Sequence, residues 1–266
     1  MASPDPPRHL SSRMIRLLAI LAFVFAPAGR ASETLSIAAA SDLVFCLEAL
    51  NREFAKSEPS VSLRVSTGSS GNFFAQIKNG APFDVFLSAD LIYPRELIAA
   101  GAAEEKSLTR YGIGRIVLWT GRTDLAIDDL ASVVRNPGVK RFAIANPDHA
   151  PYGRAAKEAL ERSGAWAEVR PKLVLGENIA QTAQFVQTGN ADVGIVALSL
   201  VIAPVLNHSG RWTEIPSSAH TPLEQGAVLT RRGVSNPAAR RYLAFLSSPA
   251  ARTIFDRYGF SLPRSP

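Results

Sequence analysis

The chain has 266 residues, 47% of them hydrophobic and 20% charged, with 29 Lys and Arg against 23 Asp and Glu. That apolar content excludes a disordered chain and suffices for one large domain or two of about 100–150 residues. A single cysteine excludes a disulfide framework and four scattered histidines exclude a zinc cluster, while the formal charge of +6 points to nucleic acid only if the mature protein keeps it.

Arg8, Arg13 and Arg16 precede the apolar run Leu17–Phe25, and small residues follow from Ala26 to Ala31. A basic stretch, a short apolar core and a small-residue zone predict an export signal over residues 1–31, cleaved near 28–32. The apolar run is too short to cross a bilayer as a helix. The segment holds four of the 29 basic residues and one of the 23 acidic ones, so the mature chain keeps 25 against 22, a net +3. The remainder has no Lys/Arg run and no interleaved basic and aromatic stripe, which excludes nucleic acid as a partner. No later stretch has transmembrane length, so a soluble periplasmic protein is expected.

Thr34–Ala39 reads as a strand, and Leu43, Leu47, Leu50 and Phe54 at i, i+4, i+7 and i+11 predict the helix after it. Cys46 falls within that helix and reads as a buried small hydrophobe. Strand Val61–Val65 is followed through Gly68-Ser69-Ser70-Gly71 by a helix carrying Phe73, Phe74 and Ile77. Next come strand Asp84–Leu87, helix Pro94–Ala100, strand Ile113–Thr120 and helix Leu125–Val134. The alternation continues with strand Arg141–Ala145, helix Gly153–Ser163, strand Lys172–Leu175, helix Ile179–Thr188 and strand Ala191–Ala197. Gly226–Thr230 is a last strand, and Ala238–Leu246 and Ala250–Tyr258 are closing helices, with Gly259 placed for a left-handed cap. This alternation predicts an α/β fold with parallel sheets.

The polar chemistry gathers where strands hand over to helices. Ser41 follows Ala38-Ala39-Ala40 at the N-cap of the first helix, and Ser69 and Ser70 hold the same place one unit later. Asn146–Gly153 leads into a third helix and Gly176-Glu177-Asn178-Ile179 into a fourth. A helix start offers N–H groups without intrahelical acceptors and the positive end of a dipole, which together favour anions. In open α/β sheets, ligands bind beyond the carboxyl ends of the strands. An N-cap serine is also the ordinary way to satisfy a helix end, so an anion site requires the four starts to converge.

Enzyme signatures are missing. Gly68-Ser69-Ser70-Gly71 lacks G-x-S-x-G spacing because Asn72 stands at the fifth place, and neither a phosphate loop nor H-E-x-x-H nor C-x-x-C occurs. His149 reads as a loop residue bonded to backbone, and His208 and His220 as solvated. Asp84 and Asp90 could form a carboxylate pair, although Asp90 suits a helix cap. Two readings from other classes are a serine hydrolase using Ser70 and His149, and an exported interaction module without ligand.

Ala38–Asp42, Gly68–Gly71, Gly80–Asp90, Asn146–Gly153, Gly176–Gln181, Gly189–Ser199 and Tyr258-Gly259-Phe260 together resemble the periplasmic molybdate-binding protein of molybdate ABC transporters. The resemblance runs in order over nearly all of the mature chain. It implies a type II periplasmic binding protein: two α/β lobes joined by two crossover strands, with the ligand cleft between them. Lobe one would be 32–113 plus 223–266, and lobe two 114–222. The implied protein is a monomer without cofactor that carries molybdate, and tungstate with it, to a membrane permease. Sulfate or phosphate is the alternative cargo. Carried over, Ser41 and Ser70 give hydroxyls and N–H groups from lobe one, and Tyr152 and Ile179 give N–H groups from lobe two, holding the anion through its oxygens. Ala197 stands where the family has a tyrosine donor. Either the Tyr152 hydroxyl or another neighbour replaces it, or the site makes fewer bonds. Asp42 would repel the anion unless it points away.

Overall fold

The computed structural model describes residues 1–3 and 33–261. Apart from residues 1–3, the predicted export segment lies outside the described residues. The strands are β1 (Glu33–Ala40), β2 (Val61–Gly68), β3 (Val85–Ser88), β4 (Thr109–Gly114), β5 (Ile116–Thr120), β6 (Phe142–Ala145), β7 (Leu173–Gly176), β8 (Val193–Ala197), β9 (Arg211–Glu214) and β10 (Leu223–Leu229). The helices are α1 (Val44–Ser57), α2 (Ser70–Lys78), α3 (Ile92–Ala99), α4 (Leu130–Arg135), α5 (Pro151–Arg162), α6 (Trp166–Val169), α7 (Ile179–Gln187), α8 (Leu198–Val201), α9 (Pro237–Leu246) and α10 (Pro249–Arg257).

They build two five-stranded sheets, ordered β2-β1-β3-β10-β4 and β7-β6-β8-β5-β9. β1 runs parallel to β2 and β3, and β6 parallel to β7 and β8. The sheets are nevertheless mixed, because β10 is antiparallel to β3 and β4, and β5 to β8 and β9. This corrects the expectation of parallel sheets. Strands of a βαβ unit all run toward the cleft, whereas β5 and β10 carry the chain from one sheet into the other and enter from the cleft side.

That passage also splits the predicted strand Ile113–Thr120, since β4 ends at Gly114 in one sheet and β5 begins at Ile116 in the other. A continuous apolar run carries no mark of the switch. The predicted helix Leu125–Val134 begins only at Leu130, where the Asp129 carboxylate caps it by accepting the Ser132 N–H at 2.8 Å. Leu125 and Ile127 are buried from a loop instead. Strand β9 escaped the hydropathy pattern because three of its four residues are exposed.

Each face of the first sheet is covered. Leu35, Ile37 and Ala39 pack with Leu47, Leu50 and Phe54 of α1, Tyr242 of α9 and Phe255 of α10, while Ala38 turns to Phe73, Ile77 and Leu97 of α2 and α3. The period-two alternation of β1 thus serves two helical layers. Burial of each large side chain is worth about 1.5–3 kcal/mol. Cys46 is fully buried in this layer, as its helical position predicted. A second cluster around Phe142, Ile144, Ile195 and Leu160 fills the other lobe.

Candidate functional site

Register places the helix starts in pairs. Ala40 pairs with Gly68 across β1 and β2, so the turn Ser41–Leu43 and α2 begin side by side. Ala145 pairs with Gly176 across β6 and β7, which does the same for α5 and α7. Ser70 and Ile179 are the first residues of α2 and α7, and Tyr152 follows Pro151 at the start of α5. Ser41 is not the N-cap expected of it. It opens a short 3-10 turn ahead of α1, after Ala40. At all four positions the N–H group has no intrahelical acceptor.

Hydrogen bonds between the lobes close these starts into a ring. The Ala180 N–H, next to Ile179, donates to Ser41 Oγ at 3.3 Å. The Gly71 N–H, next to Ser70, donates to the His149 carbonyl at 2.9 Å. Tyr152 Oη donates to Asp42 Oδ2 at 3.0 Å. His149 completes the circuit, with Nδ1 3.0 Å from Ser69 Oγ and Nε2 3.5 Å from a Glu177 oxygen. The two serine hydroxyls are oriented by the protein, since Ser41 Oγ accepts from Ala180 and Ser70 Oγ accepts the Ala89 N–H at 3.0 Å. Each keeps its own O–H to donate.

The Asp42 carboxylate is engaged by the protein itself. Its Oδ2 accepts from Tyr152 and from Gln225 Nε2 at 2.7 Å, while Oδ1 is buried without a partner. Burial pushes its pKa up to about 6, against the lowering effect of those two bonds. Gln225 Nε2 also donates to Tyr152 Oη at 3.0 Å, so the tyrosine hydroxyl is saturated and does not substitute for the tyrosine absent at Ala197. Ala197 is fully buried at the end of β8, and the nearby Ser199 hydroxyl is committed to the Asp42 carbonyl at 2.8 Å.

The rim is tied by two residues that no motif flagged, Arg154 and Tyr93, together with Asp90. Arg154 of α5 pairs with Asp90, donates to Tyr93 Oη at 3.1 Å and lies over the Tyr93 ring. Asp90 also accepts the Tyr93 N–H at 3.2 Å, the capping role anticipated for it. Asp84 forms no carboxylate pair with it. It accepts the Ser36 N–H at 2.8 Å and pairs with Arg232 at 3.0 Å. His220 is buried, not solvated, with Nδ1 2.8 Å from the Thr221 carbonyl. His149 bonds side chains where backbone was expected. The pair required by a hydrolase is absent too, because His149 meets Ser69 and not Ser70, and Ser69 Oγ already caps α2 by accepting the Asn72 N–H.

Residues 35–261 match the model of the family described as bacterial extracellular solute-binding protein. The molybdate-binding protein ModA of Azotobacter vinelandii is 36% identical over 254 residues, covering 95% of this chain and 100% of that relative. ModA of Rhodobacter capsulatus is 40% identical over 193 residues, 73% of this chain and 75% of its own length. The solved structure of the Azotobacter vinelandii periplasmic molybdate-binding protein superposes with a TM-score of 0.82 at 32% identity, covering 86% of this chain and 100% of that one. The two-lobed architecture, the ring of helix starts and these likenesses agree: the chain belongs to the bacterial extracellular solute-binding proteins, in the ModA group, and is a binding protein, not an enzyme.

Proposed function

We propose that this chain captures molybdate, and tungstate alongside it, in the periplasm and delivers the anion as a monomer to a membrane ABC permease. Four helix starts carry this assignment, linked across the cleft by the Ala180–Ser41, Gly71–His149 and Tyr152–Asp42 bonds. Ser41 and Ser70 would donate hydroxyl and N–H groups, and Tyr152 and Ile179 their N–H groups. All are neutral, and the tyrosine acts through its backbone. Molybdate and tungstate carry no proton near neutral pH, so a cage of donors satisfies them. Phosphate is partly protonated there and needs an acceptor, while sulfate is smaller than the larger pair. Charge-assisted bonds of about 1.5–3 kcal/mol each support tight binding after ordering costs. The fixed dipoles stand in for Lys and Arg in a water-poor cleft. Residues 32–113 with 223–266, and 114–222, are the two bodies that close, and residues 1–31 are the export signal.

Calorimetry on refolded, ligand-free protein tests this. Molybdate and tungstate should bind with submicromolar affinity, about −8 kcal/mol or better, and sulfate and phosphate far more weakly. Ala197, which offers no hydroxyl, favours the second reading of another tetrahedral oxyanion. Binding of sulfate or phosphate with no heat from molybdate or tungstate would establish that reading instead.

A further inference from the structure

We infer that Asp42 is a positioning residue for the closed state, its carboxyl taking up a proton as the lobes close over the anion, so that capture is coupled to acidity. This rests on the anion-capture reading above. Asp42 neighbours Ser41 in the ring and is only 1% exposed. Of its two bonding partners, Tyr152 comes from the other lobe, whereas Gln225 lies in β10 of its own sheet, so opening the lobes removes only the tyrosine. No described ion pair reaches it, and Oδ1 has no partner.

The groups around it offer no compensating charge. α1 contributes Cys46, β4 Tyr111 and α5 Tyr152, and burial pushes the pKa of each well up, so all three are neutral. β2 brings Gly68 beside Ala40, α7 and α8 carry no ionisable residue, and α8 reaches Asp42 only through Ser199 to its carbonyl. Closing the lobes on an ionised Asp42 therefore buries an unpaired negative charge near a second one. Protonation removes that cost.

The sign follows from linkage. The closed carboxyl titrates near 6, against an ordinary value of 3.8 once solvated, and a bound dianion moves it further up. The closed state thus holds more protons, and affinity rises as pH falls. At a closed value of about 6, full return to the ordinary value on opening sets the upper bound, binding about fourfold tighter at pH 5.5 than at pH 8. Molybdate titrations of the wild-type protein at pH 8, 7 and 5.5, each in two buffers of different ionisation enthalpy, read both the affinity and the proton uptake. Net uptake near pH 6 with the rise in affinity is expected, and Asp42→Asn should bind molybdate with neither. Wild-type binding without proton uptake, or an Asp42→Asn protein that keeps both, overturns the inference while leaving molybdate capture intact. Absence of molybdate binding by the wild type at every pH overturns both. The wild-type measurement stands whether or not the variant folds.

Discussion

Gly71 is the second residue of α2, and a β-carbon there would lie 2.6 Å from the His149 carbonyl oxygen and 2.8 Å from the His149 Cβ, both in the opposite lobe. Ordinary contact begins at 3.4 Å, so the facing backbone of Gly71→Ala must retreat by about 0.8 Å. Retreat also breaks the Gly71–His149 hydrogen bond, now 2.9 Å long. A net loss of about 0.5–1.5 kcal/mol for that bond and about 1–3 kcal/mol for overpacking gives roughly 2–4 kcal/mol, weakening affinity about 30- to 1000-fold. Within lobe one the nearest atom the β-carbon meets is the Tyr93 hydroxyl, the far end of a side chain, at 2.6 Å. Alanine is also the better helix former by up to about 1 kcal/mol, so the ligand-free Tm should hold or rise. Calorimetry with molybdate beside thermal melts of the ligand-free protein separates the two effects. Wild-type affinity in Gly71→Ala would refute the closure argument, and so would a ligand-free destabilisation as large as the affinity loss.

Arg154→Ala removes the pair with Asp90 and the contacts with Tyr93 across the rim. It should speed anion release about tenfold in stopped-flow displacement, and an unchanged off-rate would show that the pair holds nothing closed. With molybdate saturating, Asp42→Asn should melt above wild type at pH 8. Because the step from unfolded chain to closed, anion-bound protein raises the Asp42 pKa from 3.8 to about 6, the stability gained by its protonation is complete below pH 3.8 and lost as pH rises through 6, up to about 3 kcal/mol. Parallel melting profiles of the two proteins between pH 4 and pH 8 would contradict that. Cys46 is fully buried and its thiol pKa is pushed well up by that burial, so alkylating reagents should label it only on unfolding. Native-state labelling at the rate of the denatured chain would count against this environment.

Local pattern revealed the parts of the site but not their meeting. Ser41, Ser70 and Ile179 stand out because a strand-to-helix handover is written in neighbouring residues. The bonds that join them link positions far apart: Ser41 to Ala180 across 139 residues, and Asp42 to Gln225 across 183. Gln225 lies in a strand whose hydropathy gives no hint of a polar partner, and Arg154 looks like any surface arginine of a helix until Asp90 is placed opposite. The Tyr152 hydroxyl could not be assigned from sequence, since donor to a ligand and donor to Asp42 look alike in a string of letters. Strand direction was hidden for the same reason. An apolar run such as Ile116–Thr120 is equally compatible with either orientation.

The two links between the sheets are fastened to each other. Arg115 of the outgoing link forms an ion pair with Glu214, at the start of the return, and the Ile215 N–H donates to the Ile116 carbonyl at 3.1 Å. On the other side, Gly114 lies opposite Leu223 in the β4–β10 pairing. Two straps pinned together at both ends act as one hinge pin. For the capture proposed above, such a pin would favour one axis of swing for lobe two, so that α5 and α7 engage or release the anion in the same stroke. On that proposal the anion would be handed over by one swing, not by donors letting go one at a time.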